Sequence, residues 1–83
     1  MNLRDREELL AIFCELSENP SEYSSRGALN SHGRSLALRF GAIAHRMGIL
    51  TSPRLILGDG DYEKCIKRMQ DLINSFSKNP NQG

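Results

Sequence analysis

The sequence predicts an all-α fold, a small bundle of three main helices at about 3–17, 34–47 and 62–77 with a long Ser/Gly-rich first loop. Three observations carry this. Apolar residues recur at helical spacing in three separate windows. Each window is bounded by Pro, Gly or Asn punctuation. The one stretch whose β-branched and Leu content allows extension, 49–58, has no evident second strand to pair with, and a lone strand is not stable. At 83 residues the chain makes at most one domain. A domain of that size buries only about 60% of its unfolded surface, so its core is thin and is often supplemented by a disulfide, a metal or a partner subunit.

Asn2 is a good N-cap for the first helix, and Asp5 suits the dipole of its first turn. Leu3, Leu9, Leu10, Ile12, Phe13, Cys14 and Leu16 share one side, and Arg4, Glu7, Glu8, Glu15 and Glu18 the other, an amphipathic pattern. Asn19-Pro20 ends it. Residues 19–33, NPSEYSSRGALNSHG, read as a loop, with room for one helical turn around Pro20–Tyr23 because proline suits a first helical position. A structureless connection this long is uncommon in so small a domain.

The second helix, from about Arg34 to Met47 with a cap at or near Ser31, has Leu36, Phe40, Ile43, Ala44 and Met47 as its core stripe. Leu38, Gly41, Ala42 and His45 lie opposite that stripe, and Arg39 and Arg46 share a side. A helix apolar on most sides is either central in its fold or shared with a partner. Gly48 reads as its C′ residue. An apolar linker or a short helix from Pro53 follows. The third helix, capped by Asp59 or Asp61, is the cleanest pattern: Tyr62, Cys65, Ile66, Met69, Leu72, Ile73 and Phe76 fall in one sector. Residues 79–83, NPNQG, read as a disordered tail.

Hydrophobic residues make up 39% and charged residues 25%, ordinary for a globular chain. No apolar run approaches the ~18 residues of a membrane span, and the first residues are charged rather than a signal segment, so a cytoplasmic protein is expected. Net charge is +1, but the layout is uneven. Residues 1–22 carry six acids and two arginines, and residues 59–83 carry four acids and four bases. Between them, residues 23–58 carry Arg26, Arg34, Arg39, Arg46 and Arg54 with no lysine and no acid. Arginine without lysine suits planar, bidentate contacts to carboxylate or phosphate. Three readings follow: nucleic-acid binding, pairing with the acidic face of the first helix, and a protein interface, where arginine is enriched. Near-neutral total charge argues against the first, since nucleic-acid affinity comes largely from counterion release.

The stretch Ile43-Ala44-x-x-x-Gly48-Ile49 resembles the first helix and turn of the helix-turn-helix family, over residues 43–57. Ala44 matches the small residue where two helices cross, Gly48 the turn, and Ile43, Met47 and Ile49 the apolar positions. The resemblance implies DNA reading by a helix starting just after Leu50. The sequence departs downstream. The tenth position after Ala44, apolar in the family, is Arg54, and Pro53 precedes it. A helix that starts at Pro53 meets Gly58-Asp59-Gly60 within five residues, too short to cross a major groove.

Other chemistry is thin. Asp59, Asp61 and Glu63 hint at a calcium loop, but Lys64 and Gln70 stand where an EF-hand needs Gly and Glu. The glycines at 27 and 33, with His32 and Arg34, offer an anion cradle without a Walker-type lysine. Cys14, Cys65, His32 and His45 lack zinc spacing, and both thiols fall on expected core faces, where they are inert. No nucleophile–base arrangement is evident, so no catalytic residue, metal or cofactor is assigned.

The expected function is a small non-enzymatic regulator that binds another protein, of the inhibitor or antagonist type, as a homodimer. Arg34, Leu38, Arg39, His45, Arg46 and Arg54 are the expected partner-binding residues. The alternative is a DNA-binding transcriptional regulator with a degenerate helix-turn-helix at 43–57.

Overall fold

The computed structural model describes residues 3–78. In chain order these form α1 (Leu3–Glu18), α2 (Pro20–Tyr23), an antiparallel pair β1 (Ser24–Ser25) and β2 (Ala28–Leu29), α3 (Ser31–Arg46), a 3-10 segment η1 (Pro53–Gly60), and α4 (Tyr62–Lys78). The molecule is mostly helical, as the periodicity predicts. The cap expected at Asn2 and the tail expected at 79–83 lie outside the described residues.

The long first loop is corrected: its residues are almost all ordered into small elements. Pro20 opens α2, and the Ser24 N–H closes that turn on the Pro20 carbonyl. Ser24 then pairs with Leu29 and Ser25 with Ala28. The two residues between them, Arg26 and Gly27, both have positive φ, 54° and 82°. A two-residue hairpin turn needs that handedness to match strand twist. Glycine adopts it freely, and Arg26 bears the steric cost. The Asn30 side chain accepts from the Gly33 N–H at 2.8 Å and so caps α3. The helix therefore begins at Ser31, before the expected Arg34. The helical turn at Pro20–Tyr23 stands where the proline predicts it; polar composition concealed the hairpin, because a two-residue strand is too short to show alternation.

Buried residues from every layer form one core: Leu9, Ile12 and Leu16 of α1, Ala37, Phe40, Ile43 and Ala44 of α3, and Cys65, Met69 and Ile73 of α4. Leu29 and Ile56 close it from the hairpin and η1. The three- and four-residue steps are those of helix faces that meet. Burying a side chain such as Phe40 stabilises the fold by roughly 1.5–3 kcal/mol. Two residues expected on the core side of α1 are corrected. Leu10 and Cys14 are exposed, because they sit at the margin of a stripe centred on Leu9, Ile12 and Leu16. Cys65 is buried as expected, and burial pushes its thiol up to about 11.

Two glycines set how closely the pieces approach α3. A Cβ at Gly33 would overlap the Tyr23 carbonyl oxygen, and one at Gly41 would overlap that of Pro53. Gly41 is buried. What approaches the small residues of α3 is therefore this chain's own α2 and η1. At the end of α3, the Gly48 N–H reaches the His45 carbonyl and the Ile49 N–H reaches that of Ala44, both at 3.0 Å. With Gly48 at φ 83°, this is a Schellman cap.

Candidate functional site

The expected partner-binding residues divide between two flanks of α3. On the α1 flank, Arg46 donates to Asp5 at 2.8 Å and Arg39 to Glu8 at 3.3 Å. Asp5 is nearly buried, its side chain 11% exposed, so it needs this cation. Arg39 and Glu8 are both open to solvent, and their attraction is correspondingly screened. His45 has a local partner too: its Nδ1 lies 3.0 Å from the Leu50 carbonyl oxygen, across the turn that leaves α3. These three side chains are engaged within the chain.

The η1 flank differs. Arg34 and Leu38, one turn apart on α3, face Arg54, Leu57, Asp59 and Gly60 across an open cleft of about 340 Å³. The Arg34 guanidinium lies close to Gly60: a Cβ there would come within 3.6 Å of Nη2. Arg34 and Arg54 are exposed and have no ion-pair partner among the described residues. Leu38 is 36% exposed, large for an apolar side chain. Two arginines thus flank two leucines, with Asp59 as the one acid on the rim.

Local sequence explains the arrangement. Pro53 presets the first turn of η1. In a 3-10 turn, residues three apart eclipse, which sets Arg54 and Leu57 on one side. Gly58 and Asp59 then turn left-handed, at φ 57° and 61°, and break the segment. Gly58 is needed there, since a Cβ would press into the first turn of α4 around Lys64 and Cys65. Asp61 caps α4, with Oδ1 accepting from the Lys64 N–H at 3.0 Å, so Asp59 remains free to line the cleft. Leu57, Asp59 and Gly60 were not candidate site residues from sequence. The Arg54–Leu57 spacing was the available signal.

The second helix implied by the helix-turn-helix resemblance is absent between 50 and 60. That stretch is η1, packed between α3 and α4 with Ile56 fully buried and interrupted at Gly58. Among the described residues, no group of three or more His, Cys, Asp or Glu is placed to hold a metal ion, and no helix is long and apolar enough to cross a membrane. In comparison with known proteins, the chain matches no family model, no curated protein and no solved structure.

Proposed function

We propose that this protein is a small non-enzymatic regulator that works by docking on another protein through the cleft between α3 and η1. One observation carries the reading: of the four arginines around α3 and η1, the two on the α1 flank are paired internally, while Arg34 and Arg54 have no ion-pair partner among the described residues and stand beside exposed Leu38 and half-buried Leu57. Exposed arginine next to an apolar anchor is the composition of a protein interface core. An inhibitor or antagonist of a larger protein suits a chain of this size. The ground for a homodimer is narrower, since η1 already covers α3 at Gly41. The partner surface is therefore assigned to a different protein, with light scattering on the purified chain as the check on self-association.

The test uses affinity capture from native cells with the unaltered chain, the double variant Arg34→Glu/Arg54→Glu, and Arg68→Glu as a control on α4. The reading expects a protein retained by the unaltered chain and the control and lost with the double variant. Identical captures from all three overturn it. A salt series on duplex DNA tests the rival class: steeply salt-dependent binding would favour a nucleic-acid regulator instead.

A further inference from the structure

Resting on that reading, we propose the chemistry of the partner segment: an acidic amphipathic helix that lies in the α3–η1 cleft, its carboxylates on Arg34 and Arg54 and a leucine-type side chain against Leu38 and Leu57. The molecule supplies the precedent on its opposite flank. There α1, an acidic amphipathic helix, runs antiparallel to α3, with Asp5 on Arg46 and Glu8 on Arg39. Its Leu9 and Ile12 are buried beside those contacts. The η1 flank offers the same elements with no helix on them: two cations, two apolar side chains and an open cleft.

Charge complementarity decides the occupant. The cleft holds two cations and one acid, so an incoming segment must bring net negative charge. The guanidinium fork suits carboxylates, which it can grip in bidentate fashion. Leu38 and Leu57 call for an apolar side chain between the acids, the spacing that a helix provides at i, i+3 or i+4. A phosphate backbone would satisfy the arginines but leave both leucines against a polar, charged surface. Asp59 is the specificity element: it repels the same carboxylates that the arginines attract, so only a segment whose acids fall on the arginines and away from the Gly58–Gly60 turn fits well.

The test is fluorescence anisotropy on the whole chain. The probe is a labelled synthetic 16-residue helix with leucines at i, i+4 and i+7 flanked by glutamates, and its control is the same peptide with lysine for glutamate. Saturable binding of the glutamate peptide is expected, weakening as salt rises, with none of the lysine peptide. Arg34→Glu/Arg54→Glu should weaken it about tenfold or more. Asp59→Asn should tighten it, and Arg68→Glu should leave it unchanged. Circular dichroism on each variant confirms that the fold persists, as expected for exposed side chains without partners. Three results overturn the proposal: equal binding of both peptides, no effect of the double variant, or displacement of the peptide by duplex DNA at equal charge. If the peptide fails while cellular capture still depends on Arg34 and Arg54, the helix is wrong and the docking cleft stands. If both fail, the cleft is not the site.

Discussion

The two flanks of α3 carry the same residue types and use them differently. On one, arginines complete the fold by pairing with α1; on the other, they stand at the edge of an open cleft. The difference lies in what packs alongside. α1 brings carboxylates to its contact, and Asp5 is drawn nearly out of water by it. η1 brings a proline carbonyl, Ile56, and an arginine of its own. A flank that meets acids is satisfied, and a flank that meets another cation and one unpaired acid is left with net positive charge to spare.

Substitutions along α3 sharpen this contrast. The largest effect is expected at Gly41. Gly41→Ala sets a Cβ into the Pro53 carbonyl and must push η1 away, at a cost of about 2–3 kcal/mol in urea unfolding. It should also widen the cleft, because Arg54 and Leu57 move with η1. Arg46→Ala comes next. It leaves the Asp5 carboxylate without its cation in a nearly dry position, and about 1–2 kcal/mol should be lost. Asp5→Asn/Arg46→Ala should recover part of that loss, since no unpaired charge remains. Arg39→Ala is expected to cost under about 0.5 kcal/mol, because both members of that pair are well exposed. Smallest of all, Arg34→Ala and Arg54→Ala should leave the unfolding midpoint within experimental scatter. A loss of about 1 kcal/mol or more at either would mean that the cleft arginines belong to the fold, and the contrast between the flanks would break.

The three long helices were legible because each repeats apolar residues over three or more turns. Cys65, Met69 and Ile73 recur every fourth residue, and all three are buried. Between α1 and α3 the turn of α2 was legible from Pro20, but β1 and β2 were not, because each is two residues long and the pair is held by backbone and Asn30 contacts rather than by apolar pattern. Half of the candidate site was legible in the same sense. Arg34, Leu38 and Arg54 stood out in an acid-free stretch, and the structure brings them to one cleft. Which arginines were already paired could not be read, since that depends on how α1 docks: Asp5 and Glu8 meet residues 41 and 31 positions away. Asp59 was missed because its side is set by the left-handed turn at Gly58, which no periodicity announces; Leu57 was missed although its three-residue spacing from Arg54 was there to be read.

One small feature couples the short pieces of this chain to its long helices. The Tyr62 N–H donates to the Gly27 carbonyl at the hairpin tip at 2.9 Å, and its hydroxyl donates to the Leu16 carbonyl at 2.6 Å. Ala28 and Asp61 add a bridge beside it. A single residue at the start of α4 thereby ties together the end of α1, the hairpin and the last helix. The hairpin's anchor is more than thirty residues downstream, and the first N–H of α4 finds its acceptor on the hairpin. Neither half can fray without releasing the other. Hydrogen exchange at the Tyr62 amide should therefore track the opening of the whole molecule rather than of one helix end, and the chain should unfold in a single step despite its many short pieces.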